Sequence, residues 1–277
     1  MMTMFFMVGA LYASRSPQQY LGPTGLVIYL MSFLAVQSIY LFNSAGGIEH
    51  DDQNDRFSGI SFSNSARTKY TLMAFSIVLL ISACLISLYM GWASWWLILL
   101  DYLIWVAYAG GKLNFKSTAH LGALVHFVSG IINFHVCSII FQEITFASVS
   151  IAAYFSLLFT AGYFHHLVID HEADLKTGVA TFSVRYGKDL CRKISFGIIC
   201  AAFILYTQLF IRNLVAKEDL FVVSLAFLVN AILYYYYMKG SKNYSSDLVY
   251  RRNYRALYFL TFLSVFLINC YKWKSLI

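Results

Sequence analysis

The chain has 277 residues, 60% hydrophobic and only 12% charged, with 20 Lys and Arg against 13 Asp and Glu for a formal charge of +7. Soluble domains carry about 25% charged residues, so this composition excludes an ordinary water-soluble globule, and its 18% aromatics and 2 prolines exclude a disordered chain. The five cysteines, Cys84, Cys137, Cys191, Cys200 and Cys270, share no short spacing, which excludes a disulfide framework or a Cys-ligated zinc site as the organising element.

A membrane-spanning helix needs roughly 20 apolar residues, with a range of about 17 to 25. Such runs occur near 1–14, 22–45, 70–90, 92–110, 118–141, 145–167, 191–211, 219–238 and 255–275. The first lacks a basic n-region, and the Ser-Arg-Ser-Pro that follows is a poor cleavage site, so it reads as a first span rather than a signal sequence. Backbone polar groups inside a bilayer must be satisfied within the segment, which makes these runs helices. The expected fold class is all-α: a polytopic membrane bundle of about nine transmembrane helices around a central cavity, forming one domain over 1–277.

Fifteen basic residues fall in loops after even-numbered spans, among them Arg56, Arg67, Lys69, Lys112, Lys116, Lys176, Arg185, Arg192, Arg251 and Arg255, and five fall elsewhere. The positive-inside rule then places the even loops and the N-terminus in the cytoplasm. The run Tyr234 to Tyr237 beside Lys239 fits an interfacial aromatic belt. The absence of a soluble targeting segment points to a bacterial inner membrane.

Seven of the thirteen acids lie in two short segments just after spans 2 and 6: Glu49, Asp51, Asp52 and Asp55, then Asp170, Glu172 and Asp174. Carboxylates gathered at the rim of an apolar bundle repel each other unless a cation binds between them. The spacing is Asn43-x3-Gly47-x3-Asp51-x3-Asp55 in the first and Asp170-x3-Asp174-x3-Gly178 in the second. Steps of four line one helix face, so two such faces offer the oxygen ligands that Mg2+ takes together with substrate phosphates. Lys112, Lys116, Arg56, Arg67 and Lys69 lie near the same mouth, and Lys and Arg are the side chains that meet a diphosphate. A zinc site is the weaker reading, because no HExxH or His-x3-His pair occurs.

These residues carry a resemblance to the UbiA-type intramembrane prenyltransferases over nearly the whole chain. Asp170-x3-Asp174-x3-Gly178-x2-Thr181, followed by Arg185-Tyr-Gly187, is similar to that family's second aspartate-rich motif at each key position. Tyr108, Lys116, His126 and Gly130 resemble its fourth-to-fifth span region. The first motif departs: Asn43 and Asp51 match, while Ser44 and Gly47 stand where aspartates are expected. Asp52 or Asp55 replaces the lost ligands, or the site binds metal weakly or serves altered chemistry.

The resemblance implies Mg2+-dependent transfer of an isoprenyl group from an isoprenyl diphosphate to a small aromatic acceptor inside the lipid bilayer. It assigns the metal to Asp51, Asp55, Asp170 and Asp174 with Asn43 assisting, and the diphosphate to Lys116 and Arg56, with Arg67, Lys69 and Lys112 as further contacts. His166 is expected near the acceptor. Phe42, Tyr108, Phe127, Phe134, Tyr163 and Phe164 are candidates to face a carbocation, and His120, His126 and His135 are expected to make interhelical hydrogen bonds. Three alternatives stay open: a membrane terpene cyclase using the diphosphate alone, a transporter with Asp101 as its intramembrane acid, and a non-catalytic relative.

Overall fold

The computed structural model of the chain describes residues 2–13, 22–51, 66–110, 113–240 and 243–274. These form ten α-helices: α1 (Met2–Ala13), α2 (Pro23–Asp51), α3 (Ala66–Tyr89), α4 (Trp95–Ala109), α5 (Leu121–Ser138), α6 (Phe146–Lys176), α7 (Phe182–Tyr186), α8 (Lys188–Ile211), α9 (Lys217–Lys239) and α10 (Tyr244–Lys274), with a 3-10 turn at Phe115–Ser117. A helix occupies each of the nine apolar stretches. By length and composition, six of them are suited to cross a membrane: α2, α3, α5, α6, α8 and α9. α4 is apolar but has only 15 residues; six helices among the described residues meet these criteria, which do not confirm the expected count of about nine spans.

Several boundaries move outward from the expected ones. α2 runs on through Asp51, and α6 runs through Lys176 rather than stopping near 167. α8 takes in Lys188, Arg192 and Lys193, and α10 takes in Arg251 and Arg255, so these basic residues belong to helices and not to loops. Falling hydropathy marks where a segment leaves apolar surroundings; it does not stop a helix, which needs a breaker such as glycine or proline. In α6 the breaker comes at Gly178, whose φ of +70° is left-handed.

α5 and α6 are the inner pair. α6 packs on α5, α8, α10 and α7, and α5 also packs on α1 and α4. α3 and α9 present many large apolar side chains outward, such as Phe75, Ile81, Leu88, Phe221 and Leu228, the pattern of lipid-facing helices. The start of α6 is fixed by a capping box: Thr145 Oγ1 accepts from the Ser148 N–H at 3.1 Å and Ser148 Oγ accepts from the Thr145 N–H at 2.9 Å. Small residues bring backbones together where apolar packing alone does not favour one neighbour over another. A Cβ on Gly9 would stand 1.9 Å from the Phe134 carbonyl oxygen, and one on Gly130 would stand 2.5 Å from Ser156 Oγ.

On the far side, one buried cation ties three helices together. The Arg192 guanidinium of α8 donates through Nη2 to both carboxylate oxygens of Asp247 on α10 at 2.9 Å, through Nε to the Tyr237 hydroxyl of α9 at 2.6 Å, and through Nη1 to Asp189 at 2.6 Å. The Tyr237 hydroxyl in turn donates to Asp247. Tyr237 is therefore an interior residue. Tyr235 and Tyr236, 53% and 69% exposed, are the members of the tyrosine run that fit an interfacial belt.

Removing one member of a buried ion pair leaves the other uncompensated, at a cost of about 3–5 kcal/mol. Arg192→Met is expected to lower the thermal unfolding midpoint of the detergent-solubilised protein sharply, and Arg192→Met with Asp247→Leu to recover most of that loss. Equal loss in the single and double variants would remove the clamp as an explanation.

Candidate active site

The second aspartate-rich segment is the end of α6. Because α6 stays helical, Gly162, His166, Asp170 and Asp174 follow at steps of four along one stripe. Asp170 is 5% exposed and Asp174 fully buried, on a helix that continues past the expected end of the span near 167. Leaving such groups in an apolar bundle without partners is costly, and the chain supplies partners locally. Gly178 turns the backbone at the end of α6, the Val179 N–H donates to the Asp174 carbonyl at 2.9 Å, and Thr181 Oγ1 donates to Asp174 Oδ2 at 2.9 Å. The Asp174-x3-Gly178-x2-Thr181 spacing is thus one folded unit. His166 Nδ1 lies 3.2 Å from Asp170 Oδ2 one turn away. Lys116, in the 3-10 turn before α5, brings Nζ to 3.9 Å from Asp174 Oδ1, within ion-pair reach but longer than a hydrogen bond.

A cavity of about 170 Å³ adjoins this group at His166 and is lined also by Tyr40 and Asn43 from α2, Trp105 and Tyr108 from α4, His126 from α5, Phe159 and Tyr163 from α6, and Arg251, Tyr254 and Arg255 from α10; Asp170, Asp174 and Lys116 are not among its lining residues. Asn43 is brought to the same space as His166, and its Oδ1 is buried without a hydrogen-bond partner among the described residues. Around His126 the rings close in: Tyr163 stacks on it at 4.1 Å, and Trp105, Phe159 and Tyr108 lie at 5.0, 5.1 and 5.4 Å between centroids. Tyr163 reaches this position because position 122 is glycine; a Cβ there would stand 2.1 Å from the Tyr163 hydroxyl.

The remaining expected residues are distributed unevenly. Asp51 is the last residue of α2, on the helical stripe of Asn43 and Gly47. Asp52, Asp55, Arg56 and Lys112 lie outside the described residues. Arg67 and Lys69 open α3 and are exposed, and Lys69 lines a separate recess of about 270 Å³ with Phe42, Gly46 and Asn114. Of the proposed carbocation-facing rings, Tyr108 and Tyr163 line the cavity; Phe134 packs in the second core cluster, against α1. The expected interhelical bond of His126 is instead intrahelical, to Gly122 at 2.7 Å, whereas His135 does reach Ser148 on α6 at 3.2 Å. Asp101 is buried in α4 and is not among the residues that line the cavity.

Sequence reasoning missed Tyr40, Trp105, Phe159, Arg251 and Arg255 as cavity residues. The two arginines are four apart, a helical spacing, but they sit in a polar stretch whose low hydropathy hides the start of α10.

The donor set suits a hard divalent cation: two buried carboxylates one turn apart and an unpartnered amide oxygen on the opposing helix, with Lys116 at the edge. Among the described residues no three His, Cys, Asp or Glu side chains converge, so further acidic ligands would come from the end of α2.

The UbiA prenyltransferase family model matches residues 2–271, and the chain belongs to this family, whose members are prenyltransferases. It is a multi-pass integral membrane protein. The fold is similar to that of a digeranylgeranylglyceryl phosphate synthase, with a TM-score of 0.69 at 16% identity over 97% of this chain and 93% of that one. It is also similar to a UbiA homologue from Archaeoglobus fulgidus bound to DMAPP and Mg2+, at 0.68 and 15% identity over 96% and 94%, and to the same homologue bound to GPP and Mg2+, at 0.67 and 14% over 97% and 95%. No curated protein sequence matches the chain.

Overpacking a filled site costs about 1–3 kcal/mol. Gly122→Ala is expected to push Tyr163 off His126 and to lower thermal stability by that order, with Gly122→Ala combined with Tyr163→Leu recovering stability. A Gly122→Ala protein as stable as wild type would show that the α5–α6 approach is not as tight as 2.1 Å implies.

Proposed function

We propose that the protein is a Mg2+-dependent intramembrane prenyltransferase that moves an isoprenyl group from its diphosphate to a small aromatic acceptor. The observation that carries this reading is the pair of buried carboxylates, Asp170 and Asp174, on the helix whose preceding turns, at Tyr163 and His166, line an aromatic-walled cavity. The UbiA homologue bound to DMAPP or GPP with Mg2+ supports it by likeness of fold.

In this reading Asp170 and Asp174 hold Mg2+ from α6, and Asp51, Asn43 and Asp55 hold it from the α2 side. When bound there, Mg2+ would supply Lewis-acid neutralisation of the charge on a departing diphosphate. Lys116 and Arg56 add positive charge to the same group, with Arg67, Lys69 and Lys112 acting at longer range. Thr181 keeps Asp174 oriented by donating to Oδ2, which leaves Oδ1 towards Lys116 and the site. His166, held by Asp170, stands between the metal end and the cavity and contacts the acceptor. The rings of Tyr108, Trp105 and Tyr163 exclude water and offer π faces to the allylic cation. Nine spans, with the site on the cytoplasmic side of a bacterial inner membrane, complete the proposed arrangement.

Purified protein in detergent with labelled GPP is expected to release diphosphate only when Mg2+ is present. Asp170→Ala and Asp174→Ala should reduce release by at least about 10²-fold, Lys116→Met by somewhat less, and Thr181→Val should act chiefly by raising the Mg2+ concentration needed. Full release by Asp174→Ala would overturn the metal assignment. Cyclic products formed without any acceptor would move the enzyme to the cyclases.

A further inference from the structure

His126 lines the cavity, the proposed transfer does not use its chemistry, and its environment is specific. Its Nδ1 lies 2.7 Å from the Gly122 carbonyl oxygen. A carbonyl only accepts, so Nδ1 carries the ring proton, and in the neutral imidazole Nε2 is the bare acceptor nitrogen. That Nε2 has no hydrogen-bond partner among the described residues, and the ring borders the cavity between Trp105, Tyr108, Phe159 and Tyr163. All four neighbours are aromatic, so they hold the ring plane and leave its nitrogen unengaged.

Depth along α6 gives the position its meaning. Tyr163, stacked on His126, precedes Asp170 by seven residues, which at 1.5 Å per residue puts it about 10 Å further into the bundle. A group at that depth lies beside the hydrocarbon end of a substrate whose diphosphate is at Asp170 and Asp174. His166, by contrast, lies 3.2 Å from Asp170 Oδ2 and lines the cavity nearer to the carboxylates than His126 does.

We propose that His126 Nε2 is the proton acceptor that completes the reaction after the carbocation has formed. This rests on the prenyl-transfer reading above. Ionisation breaks the C–O bond, and its electron pair leaves with the diphosphate. The acceptor then donates an electron pair to the cationic carbon, and its O–H or ring C–H bond breaks, the pair staying with the acceptor and the proton passing to Nε2. Without an acceptor, the C–H bond beside the cationic carbon breaks instead, its pair forming a C=C bond and its proton going to the same nitrogen. The imidazolium returns its proton to water as product leaves. A basic nitrogen held by a backbone hydrogen bond inside an aromatic wall suits this task, because the wall tolerates a cation while excluding the water that would capture it.

The experiment reads how products divide for each diphosphate released. Wild type, His126→Phe, His126→Gln and His126→Ala are incubated with labelled GPP and Mg2+, with and without a panel of small phenols, and products are separated into prenylated phenol, hydrocarbon and prenyl alcohol. Phe keeps the stack on Tyr163 and Gln keeps polarity, so a folding failure in one leaves the other to decide; gel filtration reports folding. Removing a general base costs about 10²-fold or more, so the ratio of proton-lost product to alcohol should fall by about that factor in both variants. Added imidazole should restore the ratio in His126→Ala, which a purely structural role would not allow. The phenol arm shows whether the proton comes from an acceptor or from the chain itself. An unchanged ratio in a folded Phe or Gln variant, or no rescue by imidazole, overturns the assignment to His126 alone. A wild-type protein that releases no diphosphate overturns the transferase reading and this one with it.

Discussion

Two carboxylates buried near the end of an apolar helix set the terms for the rest of the site. Each ion costs several kcal/mol to take from water unless its oxygens find partners, and Asp170 and Asp174 are 5% and 0% exposed. The surrounding chain is arranged around that cost. Gly178 lets the backbone turn at once, Thr181 returns a hydroxyl to Asp174, His166 meets Asp170 and Lys116 approaches from the α5 side. Of this group only His166, one turn before Asp170, lines the cavity, so it is the residue that connects the two carboxylates to that space.

The bundle supports this arrangement through two different kinds of packing. α5 and α6 approach through Gly122, where the Tyr163 ring fills the space, and through Gly130, which faces Ser156. On the other flank, α8, α9 and α10 are joined by Arg192, Asp247 and Tyr237, and α10 is tied to α6 by Tyr254, whose hydroxyl donates to the Leu158 carbonyl at 2.5 Å. α10 therefore carries both a structural clamp at Asp247 and cavity residues at Arg251, Tyr254 and Arg255.

Much of the fold was legible in the sequence because lipid solvation imposes a simple code: about 20 apolar residues, helical backbone, basic loops. All nine apolar stretches are helices. The helix ends were less legible, since polar residues at the bilayer rim lower hydropathy without breaking the helix; this is why α6 runs past its expected end and why Arg251 and Arg255, expected in a loop, lie in α10. The motif of the second aspartate segment was readable as chemistry, and its Gly178 and Thr181 proved to be the turn and hydrogen bond that fix Asp174.

What the sequence determined by itself is membrane residence, helical class and the acidic stripe on α6, each of which follows from local composition or from spacing within one helix. Which side chains share the cavity was decided only by tertiary structure. Asn43, Tyr40, Trp105, His126, Arg251 and Arg255 come from four helices far apart in the chain, and Lys69 and Phe134, equally plausible by sequence, fall elsewhere. Helical periodicity specifies a face, but the neighbour of that face is set by close contacts such as Tyr163 against Gly122, which depend on the packing of whole helices.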